Sequence, residues 1–135
     1  MILRGEDARQ QWHWTPYFVP REFECKHCHA LLVETDLMDR LVLIRAQYGK
    51  PMIVASGYRC PTYNNSVSFT GLDGPHTRGA VDLSVRGTDA HRLLYVALSH
   101  GIRGIGVQQK GAARFLHLDM LPDDARQPRP WVWTY

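Results

Sequence analysis

Apolar side chains recur three or four positions apart in two stretches of the chain, which predicts two amphipathic helices. The first covers residues 36–48, with Asp36 as its N-cap and Gly49 as its C-terminal stop. Its apolar face is formed by Leu37, Leu41, Ile44 and Tyr48. The second runs from about residue 89 to residue 100 and is capped by Thr88. Each helix therefore has one face that can pack against a core.

Short apolar runs with strand character lie between and after these helices. The predicted strands are Met52–Ala55, Ala80–Val85, Gly104–Val107 and Phe115–Asp119. Residues 109–112 join the last two strands as a hairpin. Residues 61–75 are rich in Pro, Asn, Ser, Thr and Gly and are predicted to form a long surface loop. This mixture predicts an α+β fold, with a small antiparallel sheet flanked by helices.

The length of 135 residues suits a single domain that covers the whole chain. Within it, residues 1–15 are expected to form an N-terminal arm. The aromatic segment Trp12–Phe23 is expected to pack on the domain, with stacking on a substrate as the alternative. The closing aromatic residues Trp131, Trp133 and Tyr135 are expected to close the core, with contact to a glycan or peptide as the alternative.

The charge balance is mildly basic, because 16 Lys and Arg residues against 13 Asp and Glu residues give a net charge of +3. This charge suits anionic surroundings such as a cell-wall polymer but is too small to indicate nucleic-acid binding. No apolar run is long enough to span a membrane, and the N-terminus lacks the order of a secretory signal. We expect a monomer that is synthesised in the cytoplasm, with no nucleic-acid partner and no integral membrane segment.

Histidine and aspartate residues occur at positions where burial needs a compensating partner. His117 and Asp119 alternate on the last predicted strand and therefore share one face. His76 and Asp82 lie six positions apart, and a turn from loop to strand can bring them together. Two histidines and one aspartate suit zinc, and three protein ligands leave a fourth position for water, as in catalytic sites. The alternative is that each residue is a hydrogen-bonded polar group of the core.

Six segments, taken in their order along the chain, resemble the M15 metallopeptidases. They are Glu22–Cys25, Ser56–Asn64, Gly74–Asp82, Gly104–Val107, Arg114–Asp119 and Arg129–Tyr135. The similarity extends from about residue 17 to residue 135. That family contains zinc D-Ala-D-Ala carboxypeptidases and phage peptidoglycan endopeptidases, and it is related in fold to the hedgehog signalling domain. The resemblance therefore implies a fold of the hedgehog/DD-peptidase type.

Carried over by position, the resemblance implies that Zn²⁺ is bound by His76, Asp82 and His117. Arg59 would hold the substrate carboxylate or the developing oxyanion. The resemblance also places neighbours of Arg59 at the substrate, namely Ser56, Tyr58, Tyr63 and Asn64. Asp119 is the nearest acid to the last ligand and is assigned the role of general base. In the alternative, Asp119 binds zinc and His117 transfers protons.

The spacing from His76 to Asp82 is one residue shorter than is usual in that family. A slip of one residue within a strand turns a side chain to the opposite face. If the segment around Thr77 and Arg78 absorbs the deletion, we expect a phage or prophage zinc peptidase that cuts a D-Ala-containing stem or cross-link of peptidoglycan. It would act on the cell wall after release or as a virion component. A displaced Asp82 would instead indicate a catalytically inactive peptidoglycan-binding or structural module.

The three cysteines include a C-x-x-C pair, Cys25 and Cys28, which is the spacing of a metal knuckle. Together with Cys60 and either His27 or His29, they could hold a second, structural zinc ion. A disulfide between two of them, or three reduced thiols, are the alternatives.

Overall fold

The structure is a computed structural model that describes residues 1–135, the whole chain. Its strands are β1 (Ile2–Arg4), β2 (Leu32–Glu34), β3 (Ile53–Ser56), β4 (Val81–Ser84), β5 (Gly104–Gln108), β6 (Phe115–Asp119) and β7 (Trp131–Thr134). Its α-helices are α1 (Gly5–Gln10), α2 (Thr35–Tyr48), α3 (Pro61–Val67) and α4 (Gly87–Ser99). Two short 3-10 turns cover Pro20–Phe23 and Pro75–Arg78. None of the helices combines the length and apolar character needed to cross a membrane.

The main sheet has five strands in the order β3-β4-β6-β5-β7. The first four are antiparallel neighbours, and β5 and β6 form the predicted hairpin. The last strand, β7, is parallel to β5 and adds an edge that the sequence did not indicate. A separate antiparallel pair joins β1 to β2. The α+β class is therefore confirmed, although the sheet is mixed rather than wholly antiparallel.

Helix α2 buries the face predicted from its periodicity, including Leu41 and Ile44, and packs against α4. One apolar core of 22 residues joins these helices to the inner faces of β4, β5 and β6. Burial of this much apolar surface is the main favourable contribution to folding. The sheet is thereby held against the helices, and β4 and β6, which carry Asp82 and His117, pair with each other without a register shift.

Helix starts differ from the prediction in two places. Helix α2 is capped by Glu34, whose carboxylate accepts the N–H of Leu37 at 2.8 Å, so Asp36 lies inside the first turn. Helix α4 begins two residues earlier than predicted, and the flanking Arg86 makes no capping side-chain bond. A longer glutamate side chain reaches the same donors that a shorter cap would satisfy.

Two segments predicted as irregular contain regular structure. Residues 61–75 begin with α3, because Pro61 suits the first helical position and the Cys60 thiol accepts the N–H of Tyr63. The first dozen residues form β1 and α1, with Leu3 and Ala8 buried in the core. Pairing with β2 provides the hydrogen bonds that this short strand cannot make alone.

Candidate metal centre

Three side chains predicted as metal ligands come together from three separate elements. Asp82 on β4 lies directly opposite His117 on β6 in the antiparallel register. His76 comes from the 3-10 turn Pro75–Arg78, which enters β4. One ligand atom from each residue lies within 4.8 Å of the other two, and all three residues are buried. The fold therefore forms the cluster that the spacing only suggested.

The shortened spacing between His76 and Asp82 does not separate them. The turn ends at Gly79, which has a φ of 94° in the left-handed region that favours glycine. That turn sends the chain into β4 with Asp82 on the same side as His76, and His76 Nε2 lies 3.1 Å from Asp82 Oδ1. The deletion is thus absorbed before the strand begins, so the displaced Asp82 considered above is not observed.

Hydrogen bonds determine which nitrogen of each imidazole faces the cluster. His76 Nδ1 lies 2.8 Å from the carbonyl oxygen of Gly57, which only accepts, so Nδ1 carries a proton. In the neutral ring, Nε2 is then a bare acceptor directed at Asp82 Oδ1. His117 Nε2 lies 2.8 Å from Asp119 Oδ2, which leaves His117 Nδ1 facing Asp82 Oδ1 at 3.1 Å. Two imidazole nitrogens and one carboxylate oxygen therefore converge on one point.

The two imidazoles have opposite pKa shifts. Burial lowers the pKa of His76 below its ordinary 6.5 and keeps that ring neutral. Burial acts in the same direction on His117, but hydrogen bonds to Asp119 and Asp82 outweigh it and raise the pKa of His117. Burial alone would raise the pKa of Asp82, yet the hydrogen bond to His117 outweighs burial and lowers it. Asp82 therefore stays ionised, and His117 is the imidazole that keeps its second proton to higher pH.

Asp119, predicted as the general base, is placed behind His117 and not beside the converging atoms. It has no exposed surface, and Arg129 donates to both of its oxygens, at 2.9 and 2.8 Å. Its Oδ2 also bonds His117, and its Oδ1 accepts the N–H of Leu121 at 3.2 Å. Because both oxygens are occupied and out of reach of a substrate, this geometry argues against the base role and against the alternative in which Asp119 binds the metal. In this geometry Asp119 holds the His117 ring in its orientation.

Two glycines on β5 leave the space that the side chains of Asp119 and Trp133 occupy. Gly104 lies opposite Asp119 and Gly106 lies opposite His117. A Cβ on Gly104 would collide with the Asp119 carboxylate, and a Cβ on Gly106 would lie 2.7 Å from the indole nitrogen of Trp133. Both positions therefore require the close approach that only glycine allows.

Arg59 reaches the cluster from the segment after β3. Its Nη2 lies 3.4 Å from Asp82 Oδ2, and its Nε donates to Ser56 Oγ at 3.2 Å. Asn64 lies nearby, buried, with its amide bonded to Thr70 and its oxygen 3.4 Å from Arg59 Nη1. These contacts orient the guanidinium so that it lines the cavity above the cluster.

The other residues predicted to contact substrate lie elsewhere. Ser56, Tyr58 and Tyr63 do not line this cavity. Ser56 instead supports Arg59, while the Tyr63 ring stacks on His27 with centroids 5.9 Å apart. Tyr58 belongs to a surface depression near Arg4. The predicted substrate role of these three residues is therefore not supported by their positions, and Asn64 is the member of that group that lines the cavity.

The open space over the cluster is a cavity of about 640 Å³. Aromatic side chains from the C-terminal strand region form one wall, and Arg126 adds positive charge to the lining that contains Arg59. The Trp133 ring lies 4.9 Å from the His117 ring, and Arg129 lies over the Trp133 ring at 5.2 Å. Burial raises the pKa of the Tyr135 hydroxyl to about 12, so it stays protonated and can donate a hydrogen bond into the cavity.

The sequence indicated no role for Arg129 at the site, and it suggested contact of Trp133 and Tyr135 with a glycan or peptide only as the alternative to closing the core. Trp131 and Tyr135 remain half exposed, so they do not close the core as predicted. The sequence did contain one indication of Arg129. An acid predicted to be buried on β6 needs a charged or hydrogen-bonding partner, and the C-terminal segment offers an arginine.

The three cysteines form a second cluster, with sulfur atoms within 4.8 Å of one another and no disulfide. Burial acts to raise the pKa of Cys25, but backbone N–H donors from Cys60, Cys28 and His27 outweigh it and lower the pKa to about 7. Cys25 is buried, Cys60 is partly exposed and Cys28 is exposed.

Comparison with known proteins agrees with the chemistry of this site. The family model described as Peptidase M15 matches residues 16–119, a range that includes the His76, Asp82 and His117 cluster. Neither the curated proteins nor the solved structures contain a match to the chain. Arg129, Trp133 and Tyr135 lie beyond the matched range. Because the match covers most of the chain, this protein belongs to the peptidase M15 family of metallopeptidases.

Proposed function

We propose that the chain is a zinc-dependent peptidase in which His76, Asp82 and His117 hold the metal ion. One observation carries this proposal: His76 Nε2 and Asp82 Oδ1 face each other at 3.1 Å, although both are acceptors. A proton on His117 Nδ1 makes the contact between His117 and Asp82 a hydrogen bond, but it does not relieve the contact between His76 and Asp82. Two facing acceptors in a buried site repel unless a cation lies between them.

The donor set fits zinc in kind and in spacing. Imidazole nitrogen and carboxylate oxygen bind Zn²⁺ at about 2.0–2.2 Å, which places tetrahedral ligands about 3.3 Å apart. The two contacts to Asp82 Oδ1, at 3.1 Å each, are close to that separation. The non-ligating nitrogens are held by Gly57 and Asp119, as second contacts of zinc-binding histidines usually are. Three ligands facing a cavity leave a position for water or substrate.

Zinc, when bound, supplies a Lewis acid that polarises a carbonyl and lowers the pKa of water to about 7. The chain's own groups bind and orient the peptide. Arg59 presents a guanidinium next to Asp82, where it can neutralise a substrate carboxylate or a developing oxyanion. The protonated hydroxyl of Tyr135 provides a second donor to the same space. Asp82 is the only acid that lines the cavity, so no separate carboxylate base is assigned.

We infer that the substrate is a bacterial peptidoglycan peptide with a terminal or exposed carboxylate. Arg59 and Arg126 line the cavity and favour an anionic peptide, whereas the charge of Arg129 is balanced by Asp119. The family resemblance in the Arg59 and His117 segments supports a D-Ala-containing stem or cross-link. On the same basis we propose a phage or prophage origin and action on the cell wall after release or in the virion.

Incubation with purified muropeptides, followed by mass analysis of the products, tests this function. We expect loss of D-Ala from monomeric stems for a carboxypeptidase, or cleavage of cross-linked dimers for an endopeptidase. A chelator should stop either reaction, and added zinc should restore it. His76→Ala should lose the metal of this site and the activity, whereas His91→Ala, an exposed position on α4, should keep both. Cleavage that persists in chelator, or in His76→Ala without metal, would overturn the proposal.

A further inference from the structure

We propose that Cys25, Cys28, Cys60 and His27 form a second metal site, a structural zinc site with no open position. The three sulfur atoms lie within 4.8 Å of one another, and they come from two segments that are 32 residues apart at their nearest members, Cys28 and Cys60. This site is separate from the His76 cluster and does not depend on the proposed peptidase activity. Three thiolates and one imidazole are a common ligand set of closed structural zinc sites.

The backbone around Cys25 and Cys28 has the form of a metal-binding turn. The chain reverses between these residues, with the N–H of His29 bonded to the carbonyl of Cys25 at 2.8 Å and the N–H of Cys25 bonded to the carbonyl of Ala30 at 2.8 Å. His29 has a φ of 63°, a left-handed conformation that is uncommon for a residue with a side chain. This reversal brings both sulfur atoms to the same side of the turn, where a single ion can contact them.

Backbone amides already donate to the sulfur atoms. The N–H of Cys60 lies 3.3 Å from Cys25 Sγ, and the N–H of Tyr63 lies 3.4 Å from Cys60 Sγ. Such donors stabilise negative charge on sulfur, which is the form that binds metal. A set of uncharged thiols packed as small apolar groups would not require these donors.

His27 contacts the cluster at Cys60 and is the fourth ligand that we assign. Its Nδ1 lies 3.6 Å from Cys60 Sγ, close to the separation expected between two ligands of one tetrahedral ion. The stacked ring of Tyr63 limits the orientations open to His27. The neighbouring His29 is exposed and makes no contact with a sulfur atom, so it serves as a matched control.

A metal at this position would stabilise the segment that carries Arg59. Cys60 follows Arg59 directly and caps α3, while the N–H of Arg59 bonds the carbonyl of His76 at 3.0 Å. The ion would therefore join the turn at residues 25–30 to the chain that lines the catalytic cavity. A small domain gains stability from such a link because it restrains two distant parts of the chain.

Metal content separates the two sites. We expect the wild type to bind two zinc ions per chain, and His76→Ala or Cys28→Ser one each. Cobalt-loaded His76→Ala should show the sulfur-to-cobalt charge-transfer absorption of thiolate ligands, and Cys28→Ser should show it weakly or not at all. A single ion in the wild type together with no such absorption in His76→Ala would overturn the proposal, as would a wild-type mass that is lower by two hydrogens because of a disulfide.

The fourth ligand is tested by a substitution that leaves the cysteines intact. His27→Asn should weaken zinc retention at this site by about tenfold or more, measured by competition with a chromogenic chelator in the His76→Ala background. His29→Asn should leave it unchanged. Equal retention in the two variants would overturn the assignment of His27. All these readouts measure metal and not turnover, so their failure is distinguishable from failure of the peptidase proposal.

Discussion

At the residue scale, Asp119 illustrates how a buried carboxylate can serve a site without touching its substrate. Arg129 and Leu121 donate to Asp119, and His117 Nε2 is its remaining partner. Hydrogen bonds to His117 and Arg129 outweigh burial and hold the pKa of Asp119 below its ordinary range. The charge that remains orients the His117 ring and keeps its Nδ1 directed at Asp82.

Asp119→Asn tests this positioning role against the general-base role predicted from the sequence. We expect zinc affinity at the His76 cluster to fall about 10- to 100-fold, because the amide holds the imidazole less firmly. Activity should recover when zinc is raised to saturation. Chelator competition and turnover at saturating zinc are the measurements, with exposed Asp7→Asn as the control. If zinc affinity is unchanged and the pH dependence of turnover loses its acid or alkaline limb, Asp119 is instead a general base.

Arg59→Ala tests the contact with the substrate. We expect kcat/KM to fall by on the order of a hundredfold, because a preorganised cation beside the reacting carbonyl is lost. Zinc content should stay the same, since Arg59 lies 3.4 Å from the Asp82 oxygen that does not face the imidazoles. Arg21→Ala, an exposed position on another turn, is the control. Kinetics equal to those of the control would contradict the role of Arg59.

Individual residue types were the most predictable part of the site. Alternation along a strand correctly placed His117 and Asp119 on one face, and register then brought Asp82 opposite His117. That His117 faces the cluster while Asp119 lies behind it was not predictable, because this arrangement depends on Arg129. Arg129 lies ten positions beyond Asp119, in a stretch without a regular pattern. Long-range hydrogen bonds of this kind leave no local trace in the sequence.

At the element scale, helix α2 offers a direct comparison of two capping candidates. Glu34→Ala removes the acceptor of the Leu37 N–H and the partner of the N-terminal amine, whereas Asp36→Ala removes only an exposed pair with Arg40 at 3.0 Å. We expect the free energy of unfolding to fall by about 1 kcal/mol for Glu34→Ala and by about 0.3–0.5 kcal/mol for Asp36→Ala. Urea denaturation of both variants measures the difference, and the reverse order would restore Asp36 as the cap.

Elements with strong periodicity were predicted well, and elements supported by few residues were not. Helices α2 and α4 each contain several apolar positions on one face, so their existence follows from pattern. Helix α3 has seven residues, many of them Asn, Ser or Thr. Its N-cap is Cys60, a residue type that the sequence pattern does not mark as a cap. Strands β1 and β2 are three residues long and are stable only as a pair.

At the scale of the whole molecule, the proposed zinc ion would compete with protons for one group. His76 is neutral because its pKa is lowered, so the proton that zinc must displace lies on His117, whose pKa is raised above 6.5. Below that raised pKa, zinc affinity should fall by about tenfold per pH unit, because one proton is released on binding. Above it, affinity should level off.

This pH dependence can be measured as the zinc-dependent rise in Tm of Cys60→Ser, in which the cysteine cluster lacks a ligand. Zinc at about 100 times its Kd should stabilise the fold by about 2.7 kcal/mol. The rise should be largest at alkaline pH and shrink as the pH falls below the raised pKa of His117. A rise that stays constant down to pH 5 would show that His117 is not the protonated ligand.

The tertiary arrangement was the least predictable level. The pairing of β7 with β5 is parallel and joins residues far apart in the chain, so neither periodicity nor turn chemistry could indicate it. The same pairing brings Trp133 opposite Gly106 and forms the wall of the cavity. A sequence can therefore suggest which groups bind a metal while giving no indication of what encloses them.

The position of Tyr135 on the rim of the cavity has a practical consequence for handling the protein. A purification tag, fluorophore or surface tether attached after this residue would begin at the rim of the cavity. It would compete with incoming peptide for space. The amine of Met1 is paired with Glu34, which is not a lining residue. Reagents for assays and immobilisation are therefore better joined at the amino end.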